Sequence, residues 1–545
     1  MPGLRLEAGP RSLLVALLSA AASAFLLWLA LPPADLGPIG FVALVPLLWA
    51  LRGARARRGA LLGMAFGLLF YGLLLSWLIP VSTVGWAALV IGVGAFLALF
   101  GVVVPALWRD AAPIRTALGV GAVWGLVEWL RSVWPVGGWS WVSLGATQHD
   151  NPVTLPAASV IGAVGLGFLV AAINALVLLV LVRTGEWRKA IVPAAAAAAA
   201  ALLPLVVPAA SVHGPPVDVA VVQGNIPIEI GTASRILEDN LVAENHARVH
   251  GRLAADPPDL AVWPENALDR DPTADEVIGP VVEEAIVSVG APTLVGAITE
   301  SDDGRLLNEN LLYSADGRVV DRYAKIHLLP FGEFVPARRF LDWIPDVRRV
   351  RADLSPGTTP GRFRIGDVGF ASIICFENAF PDQVRDFVTA DQGFLVVSTN
   401  NSTFGISPAP EQHVVLSELR AVESGRWVVH AALSGISAII TPQGEVTART
   451  GLFEPDLLRA TMPTADGTTP YDAVGGWVPL GLLVLLGIGY LTPRRAPERP
   501  VLPLPDDHRV AVILPTYNER ETVQDVVERV LAASDRIEVT VVDDS

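Results

Sequence analysis

The sequence has almost no cysteine and a shortage of positive charge. Cys375 is the only cysteine among 545 residues, so no disulfide can form within the chain and its stability must come from its core. Lysine and arginine number 39 against 54 aspartate and glutamate residues, a formal net charge of −15. With this balance and no basic stripe, nucleic acid is not an expected partner. The lone thiol is either a small buried hydrophobic group or a nucleophile.

Charge is also missing from long stretches of the chain. Hydrophobic residues make up 52% of it and the mean hydropathy is +0.49, with the apolar excess in residues 12–211 and near 474–491. A bilayer requires about 20 apolar residues per helical span, which predicts about eight spans here. No small-residue cleavage site follows the first span, so we expect it to be retained. The expected spans are 12–32, 36–51, 59–79, 84–107, 114–133, 157–182, 190–211 and 474–491.

The few lysine and arginine residues of the apolar region lie in short loops on one side of these spans. Clusters precede span one, separate spans two and three, four and five, and six and seven, and follow span eight. Because cytoplasmic loops are enriched in lysine and arginine, we expect this side and both termini to be cytoplasmic. The chain is then a multi-pass protein of the cell (plasma or inner) membrane, with residues 215–465 on the extracytoplasmic side.

Two features near span five are candidates for a role in function. The loop at 131–148, "RSVWPVGGWSWVSLGATQ", is rich in tryptophan and glycine. It is either an aromatic anchor at the membrane interface or a lid or floor beneath the outer domain. Glu128, in the preceding "VEWLR", is an ionisable residue at membrane depth. It is therefore a candidate site residue, with an ion pair to Arg131 as the structural alternative.

From Val217 onward the pattern changes to short β-branched runs. Helical patterns, such as 233–254 and 411–425, lie between several of them. This alternation predicts an α/β layered domain over 215–465. Polar or turn residues end many of the runs, where layered folds place their working groups. The runs are "VDVAVVQGN", "DLAVWPE", "PTLVGAI", "NLLYSAD", "FASIICFEN", "GFLVVSTNN", "WVVHAALSG" and "SAIITPQGE".

Three residues in this domain carry complementary chemistry. Glu265 closes "LAVWPE", Lys325 lies in "DRYAKIHLLPFGEF", and Cys375 closes "ASIIC". A thiol has an ordinary pKa of about 8.5, so it needs a base or a positive field to act as a nucleophile near neutrality. A carboxylate could take its proton, and an ammonium group could stabilise a thiolate and a tetrahedral oxyanion. Together the three predict an acyl-transfer site.

Ordered motifs around these residues indicate a family. The strings "QGNIP", "WPEN", "YAKIHLLPFGEFVP", "ICFEN", "STNNSTFG" and "QHVVLSELRAVESGRWVV" follow one another along the chain. This set resembles the nitrilase superfamily. Joined to the multi-span region and "EWLR…GGWSWVSLGATQ", it is similar to the apolipoprotein N-acyltransferase family over about residues 12–490. The resemblance implies an αββα sandwich for 215–465.

The resemblance also implies a reaction. A membrane phospholipid would donate a fatty acyl group to a cysteine, and the thioester would pass it to the N-terminal amino group of diacylglyceryl-cysteine in a lipoprotein. No cofactor or metal is expected. By motif, Cys375 would be the nucleophile, Glu265 the general base and Lys325 the oxyanion partner. Residues expected to support the site or line its pocket are Glu333, Phe376, Glu377 and Asn400, whereas His327 and His413 are expected to pack or form hydrogen bonds.

The last part of the chain shows a different pattern. A proline-rich linker at 493–505 leads into 506–545, which reads as strand, turn, helix and strand. "PTYNE" followed by "VVDDS" resembles family 2 glycosyltransferases, specifically polyprenol-phosphate mannosyltransferases. We expect a truncated cytoplasmic fragment of such a domain. The resemblance implies sugar-nucleotide contacts by Pro515, Tyr517, Glu519 and Asp543.

Two alternatives to lipoprotein N-acylation remain open from the sequence. One is a membrane-tethered amidase of the nitrilase type, in which water replaces the amine. The other is a non-catalytic membrane scaffold that displays the outer domain and the C-terminal segment. A transporter is disfavoured, because no span carries the paired charges or the broken-helix pattern typical of one.

Overall fold

A computed structural model describes residues 12–183, 186–208, 210, 212–226, 235–301, 303–345, 347–350, 352–491, 510–516, 526–528, 530–532 and 537–543. Its internal contacts divide the chain into two compact units, Met1–Leu491 and Thr492–Ser545. The first unit contains the apolar helices and the α/β domain, and the second contains a small pair of strands.

Apolar helices form the first part of the larger unit. Within the described residues, five segments are long and apolar enough to cross a membrane, namely Ala56–Leu74, Thr83–Leu107, Leu155–Leu181, Arg188–Val206 and Pro470–Ile488, and two shorter apolar segments are Leu13–Leu29 and Gly37–Leu51. These findings make the chain a membrane protein. The helices before the first strand are α1 Leu13–Leu29, α2 Val45–Leu51, α3 Ala56–Leu74, α4 Thr83–Leu107, α5 Pro113–Val133, α6 Ala158–Leu181 and α7 Trp187–Leu202.

The fifth expected span differs from the other seven. It forms helix α5, of 21 residues, but it is not among the apolar segments because Arg115, Glu128 and Arg131 lower its hydropathy. Glu128 and Arg131 are buried inside the protein. Their side chains therefore face protein and not lipid, which is where ionisable groups at membrane depth are tolerated. The number of spans stays a prediction.

Glycines set the close contact between α3 and α4. Gly59, Gly63 and Gly67 are spaced four residues apart and form one stripe of α3. A Cβ atom at Gly59 would come within 1.9 Å of the Gly101 carbonyl oxygen of α4, and one at Gly67 within 2.8 Å of Gly94 Cα. Small residues at this spacing let two helix backbones meet closely in a membrane. Any larger side chain in this stripe would push the pair apart.

The α/β domain contains two six-stranded sheets. The strands are β1 Pro216–Gln223, β2 Leu260–Leu268, β3 Thr293–Glu300, β4 Leu306–Tyr313, β5 Val319–Ala324, β6 Arg362–Ile365, β7 Val368–Ile374, β8 Gln392–Thr399, β9 Trp427–Ala432, β10 Ala438–Ile440, β11 Val446–Arg449 and β12 Asp456–Pro463. The first sheet has the order β12-β1-β2-β3-β4-β5 and the second β11-β10-β9-β8-β7-β6. Parallel strands lie at the centre of each sheet, β1 to β3 and β7 to β9, with antiparallel strands at the edges.

The inner faces of the two sheets pack against each other, and helices cover their outer faces. Side chains such as Val219 and Phe370, from opposite sheets, share one core, and a second core, containing Trp263 and Ile286, lies under the helices of the first sheet. The central strands are buried on both faces, which explains their nearly continuous apolar runs. The expected αββα sandwich is confirmed. Its helices are α8 Arg235–His250, α9 Ile278–Val289, α10 Pro381–Phe387 and α11 Ala409–Ser424.

Helix α11 joins the sandwich to the membrane helices. Its Leu416 and Leu419 belong to the same core as the apolar helices. The Gln412 side chain lies at the junction: its Oε1 accepts hydrogen bonds from Trp77 Nε1 at 3.1 Å and Trp141 Nε1 at 2.9 Å. Its Nε2 donates to the backbone carbonyls of residues 32 and 74. One buried amide thus connects three segments of the membrane region to the α/β domain.

The end of the larger unit and the smaller unit complete the fold. Helices α12 Pro470–Val474 and α13 Val478–Leu491 follow the last strand of the sandwich. In the smaller unit, β13 Val510–Thr516 and β14 Ile537–Asp543 pair in parallel, with Thr516 opposite Asp543. Pro515, in β13, lies opposite Val542. Tyr517 and Glu519 lie outside the described residues.

A buried histidine forms a second connection between the membrane region and α11. His149 Nδ1 contacts Glu418 Oε2 of α11, and Nε2 lies 2.9 Å from Asp35 Oδ1, in the connection between α1 and α2. A neutral imidazole can donate only one N–H, so two carboxylate partners favour the imidazolium form. Burial opposes that charge, but the bonds to Asp35 and Glu418 raise the pKa of His149 to about 10.

This connection predicts a pH-dependent stability. The pKa of His149 is raised from about 6.5 in the unfolded chain to about 10 in the fold. Its stabilising contribution is therefore complete below pH 6.5 and is lost progressively as the pH rises towards 10. Thermal unfolding in detergent should show this decline for the native chain. In His149→Gln the melting temperature should be lower at pH 6.5, and the difference should shrink by pH 10. An equal difference at both pH values would contradict the ion-pair role.

Candidate active site

Glu265 is turned out of the regular ladder of β2. The pairing of β2 with β3 is irregular between Trp263 and Leu268, where Pro264 cannot donate a backbone hydrogen bond and Asn266 has a φ of +54°. This irregularity releases Glu265 from the alternation of the strand. Its carboxylate is almost completely buried, with 5% of the side chain exposed.

Lys325 lies directly after β5 and points at two carboxylates. Its Nζ is 3.1 Å from Glu265 Oε1 and 2.8 Å from Glu333 Oε1, and only 2% of its side chain is exposed. Burial disfavours the ammonium charge, but Glu265 and Glu333 outweigh it and hold the pKa of Lys325 well above its usual value. The lysine is therefore a permanent cation in a nearly dry site.

An asparagine outside the predicted set of site residues bridges the two carboxylates. Asn308 Nδ2, from β4, donates to Glu265 Oε1 at 2.7 Å and to Glu333 Oε1 at 2.9 Å. Glu333 Oε2 also accepts from the backbone N–H of Leu329 at 2.6 Å. The only signal in the sequence was a polar "NEN" inside an apolar strand. The Lys325 ammonium reduces the repulsion between the two carboxylates, and the hydrogen bonds from Asn308 stabilise their negative charge.

Asn400 completes the set of donors around Glu265. Its backbone N–H donates to Glu265 Oε2 at 2.8 Å. Its side-chain Oδ1 accepts from the backbone N–H of Ser402 at 3.0 Å and from the Ser402 hydroxyl at 2.7 Å. The side chain thus shapes the turn after β8, while the backbone amide orients the carboxylate.

Cys375 lies at the turn that ends β7. It opens a short 3-10 helix, Cys375–Ala379, with a φ of +51°, an uncommon conformation for a non-glycine residue and one that clusters at functional sites. The residue is half-buried. Burial and the nearby Glu265 carboxylate raise the pKa of its thiol to about 12, against the opposing effect of Lys325. At neutral pH the sulfur is therefore a protonated thiol.

Glu377 anchors the backbone around the site. Its position two residues after Cys375 predicts a side chain that lines the pocket, whereas the structure buries it completely inside the domain. Burial raises its pKa, against several hydrogen bonds that favour the charged form. Through these bonds it joins the Cys375 turn to the segment after Lys325. Its donors are Tyr323 Oη, Gln383 Nε2 and the backbone N–H groups of Ile326, His327 and Ile374.

Aromatic rings surround the residue next to the nucleophile. The Phe376 ring lies 5.2 Å from that of Trp139, in the tryptophan-rich loop, and 5.0 Å from that of Phe380. His327 stacks on Phe380 at 3.8 Å, and burial lowers the pKa of this histidine to about 4. His327 is thus a neutral packing residue, as its sequence context suggested.

Residues of α5 hold the tryptophan-rich loop against the site. Glu128 Oε1 accepts from the backbone N–H of Leu144 at 2.6 Å. Arg131 donates to the carbonyls of Trp141 and Val142 at 3.2 and 3.3 Å. Trp141 in turn lies 5.3 Å from His413 of α11, measured between ring centroids. Glu128 and Arg131 therefore hold a loop whose Trp139 and Trp141 pack against Phe376 and His413.

The fold and the residues around Cys375 define a class of protein. Two facing sheets between helix layers, with a cysteine beside a lysine and two glutamates, are the arrangement of a carbon–nitrogen hydrolase domain. A family model described as carbon-nitrogen hydrolase matches residues 218–469, and a second, the apolipoprotein N-acyltransferase N-terminal domain, matches residues 23–176. The chain belongs to the apolipoprotein N-acyltransferase family.

Similar proteins cover most of the chain. An apolipoprotein N-acyltransferase of Geobacter metallireducens is 32% identical, covering 84% of this chain and 91% of its own length. One of Gloeobacter violaceus is 31% identical, covering 89% and 95%. Among solved structures, Nit3 of Saccharomyces cerevisiae, a member of the nitrilase superfamily, is 16% identical, covers 53% of this chain and 99% of its own, and has a TM-score of 0.35.

The position of Glu265 predicts its effect on acylation. Glu265→Gln keeps the size of the side chain but removes the proton acceptor beside the thiol. A positioned base contributes roughly 10²–10⁴-fold, so acyl-thioester formation on Cys375 should fall by about that factor. Glu309→Gln is the matched control, because Glu309 is a buried carboxylate of β4 that accepts from Thr299 outside the cluster. Equal rates in the two variants would contradict a role for Glu265 as base.

Asn308 should affect the rate of acyl-thioester formation because it stabilises the negative charge of two carboxylates. Asn308→Ala removes its two hydrogen bonds, whereas Asn308→Asp also adds a third negative charge beside the carboxylates. The aspartate variant should therefore form the acyl-thioester more slowly than the alanine variant. Asn310→Ala is the control, because Asn310 is a buried asparagine of the same strand that donates to Ser372 and lies outside the cluster. The reverse order of the two Asn308 variants would contradict the electrostatic explanation.

Proposed function

We propose that this chain transfers a fatty acyl group from a membrane phospholipid, through a thioester on Cys375, to the N-terminal amino group of diacylglyceryl-cysteine in lipoproteins. The observation that carries the proposal is the cluster of Glu265, Lys325 and Glu333 beside the only thiol of the chain. Membership of the apolipoprotein N-acyltransferase family supports the choice of substrates. No cofactor or metal enters the proposed reaction.

In the first half-reaction, Glu265 takes the proton of the Cys375 thiol as the sulfur attacks the ester carbonyl of the phospholipid. Because the pKa of the thiol is high, the sulfur carries negative charge only between the loss of its proton and its attack on the carbonyl carbon. The carbonyl oxygen becomes an oxyanion, which the Lys325 ammonium stabilises. When the C–O bond breaks, the protonated Glu265 returns its proton to the leaving alkoxide. A thioester and a lysophospholipid result.

The second half-reaction repeats the sequence with an amine. The α-amino group of the acceptor attacks the thioester carbonyl, and Glu265 takes a proton from the attacking nitrogen. The C–S bond then breaks, and the sulfur regains its proton from Glu265. Glu333 holds Lys325 in place during both steps through the 2.8 Å contact. The product is an amide, and the enzyme returns to its starting charge state.

The membrane helices have a direct role in this proposal. Moving one buried CH₂ group into water costs ~0.8 kcal/mol, so transferring a long acyl chain into water would cost more than ~10 kcal/mol. A site attached to the bilayer avoids that cost for both lipid substrates. Trp139, which packs on Phe376, belongs to a loop that we assign as the floor of the site, where it would also limit attack by water on the thioester.

The topology that fits this reaction has about eight spans and both termini in the cytoplasm. The lysine and arginine clusters of the short loops support this orientation. It places the sandwich, residues 215–465, at the extracytoplasmic face, with spans at 12–211 and 474–491. The shorter apolar helices, such as Leu13–Leu29, would cross with flanking residues included.

For residues 506–545, after the linker at 493–505, we propose the first βαβ unit of a sugar-nucleotide-binding domain of the family 2 glycosyltransferase type. The parallel pairing of β13 with β14 supports it. Pro515 and Asp543 lie at the carboxyl ends of these strands, where open α/β sheets bind ligands. Tyr517 and Glu519 would contribute from the segment that follows β13.

The function is tested with the purified full chain in detergent–phospholipid micelles. The phospholipid carries a radiolabelled acyl chain, and the acceptor is a diacylglyceryl-cysteine peptide. We expect label on Cys375 that hydroxylamine releases, and an increase of one acyl group in the peptide mass. Cys375→Ser should lose the hydroxylamine-sensitive label. Free fatty acid without peptide acylation would indicate the amidase alternative, and an active Cys375→Ser variant would exclude both enzymes.

A further inference from the structure

A network of buried polar side chains lies behind Cys375 and plays no part in the steps above. Thr399, the last residue of β8, and His413 of α11 are both buried. The Thr399 hydroxyl lies 2.9 Å from Asn401 Oδ1 and 3.2 Å from His413 Nδ1. Strands β7 and β8 pair in parallel with Ile374 opposite Ser398, so Thr399 and Cys375 follow side by side at the ends of these strands, and the Thr399 hydroxyl is near enough to influence the thiol. In the resting site this hydroxyl hydrogen has two acceptors, Asn401 and His413, and the sulfur lies close by.

His413 fixes the orientation of this network. Its Nε2 lies 3.1 Å from the backbone carbonyl oxygen of Cys375, so Nε2 must carry the hydrogen and Nδ1 must be the acceptor. Burial lowers the pKa of His413 to about 4, which keeps the ring neutral. Its Nδ1 can accept from Asn401 Nδ2 at 3.3 Å as well as from Thr399. The imidazole therefore stays satisfied when the Thr399 hydroxyl turns away from it.

The same imidazole supports the backbone of the nucleophile. Cys375 has a φ of +51°, a conformation that surrounding contacts must maintain. The hydrogen bond from His413 holds its carbonyl, and the Trp141 ring packs 5.3 Å from His413 on the other side. Thr399, from β8, thus lies near the sulfur of Cys375, and His413, from α11, binds the carbonyl of the same residue.

We propose that Thr399 is a positioning residue whose hydroxyl donates to the Cys375 sulfur while that sulfur carries negative charge, and that His413 holds both groups in place. The acyl-transfer consequence rests on the function proposed above, but the contact with the sulfur does not. As the S–H bond breaks, the proton goes to Glu265 and the electron pair stays on sulfur. The Thr399 O–H then turns from Asn401 to the sulfur.

The charge changes of the reaction make this contact selective. Hydrogen bonds to a charged acceptor are roughly twice as strong as neutral ones, so the hydroxyl favours the thiolate over the thiol and over the thioester. Once the acyl group is attached, the sulfur is neutral and the hydroxyl returns to Asn401. The thiolate forms again as the leaving group of the second half-reaction. Thr399 therefore assists both halves without making or breaking a covalent bond.

Other groups act on the sulfur and must be kept constant in a test. Glu265 of β2 and Glu333, which precedes β6, oppose its negative charge, and Lys325, after β5, favours it. The Thr399 hydroxyl is an uncharged group that lowers the pKa of the thiol. A substitution at Thr399 can therefore remove one donor while leaving the three charges unchanged.

The test compares Thr399→Val, which keeps the shape but lacks the hydroxyl, with Thr399→Ser, which keeps the hydroxyl. Each full-length variant is purified in detergent and alkylated with iodoacetamide at pH 7 to 9, where the single cysteine makes all label report on Cys375. From the net worth of a charge-assisted hydrogen bond, we expect alkylation of the valine variant to be about 10- to 100-fold slower at each pH. The serine variant should lie within about threefold of the native rate. Thermal unfolding shows whether each variant is folded. If Thr399→Val is not, Thr399→Ala is used in its place.

The second measurement is acyl-thioester formation with labelled phospholipid. The valine variant should lose maximal rate and keep the native half-saturating phospholipid concentration, since Thr399 acts on the sulfur and not on the lipid. If Thr399→Val is alkylated more slowly but the native chain forms no thioester, the Thr399 contact is supported and the proposed acyl transfer is rejected. The inference would be overturned if a folded Thr399→Val or Thr399→Ala variant were alkylated and acylated at the same rates as the native chain. It would also be overturned if Thr399→Ser were alkylated as slowly as Thr399→Val.

Discussion

The Lys325 ammonium, held between two carboxylates in a nearly dry site, is the interaction on which the rest of the catalytic centre depends. Glu265 and Glu333 both approach its Nζ within 3.1 Å, and Asn308 donates to both of them. Without the cation, two buried carboxylates would repel each other, and breaking a buried pair of this kind costs roughly 3–5 kcal/mol. With it, the two carboxylates share one buried site. The position of Glu265, the proposed base, is thus a consequence of charge compensation.

The same constraint decides the state of the nucleophile. Two carboxylates and one ammonium leave the neighbourhood of Cys375 with excess negative charge, and burial adds to the cost of ionising the sulfur. The resting enzyme therefore holds a thiol, which is less open to adventitious alkylation and oxidation than a thiolate. Reactivity appears only when a proton acceptor, an oxyanion donor and substrate are present together. A donor such as Thr399 then matters because it acts on the charged intermediate and hardly on the resting state.

Helix α11 links this chemistry to the membrane. Gln412 binds the membrane region, and the next residue, His413, binds the carbonyl of Cys375. One turn further, Glu418 contacts His149, and Glu423 accepts from the backbone N–H of Ala163 in α6 at 2.6 Å. A single rigid helix thus sets the position of the nucleophile relative to the apolar helices. This arrangement is what the proposed thioester mechanism requires, because it connects the site directly to the apolar helices.

The sequence by itself determined the layered α/β domain, the apolar helices and the three residues Glu265, Lys325 and Cys375, because burial, strand periodicity and ordered motifs are local properties. The eight β-branched runs all fall on strands, and the helical patterns at 233–254 and 411–425 coincide with α8 and α11. Only the tertiary structure decided that Asn308 bridges the carboxylates and that Glu377 turns inward. Asn308 reaches carboxylates 25 and 43 positions away, and Glu377 accepts from donors 50 to 54 positions away. Periodicity says which residues are buried, but not which buried groups meet, since that depends on how the two sheets and their loops pack.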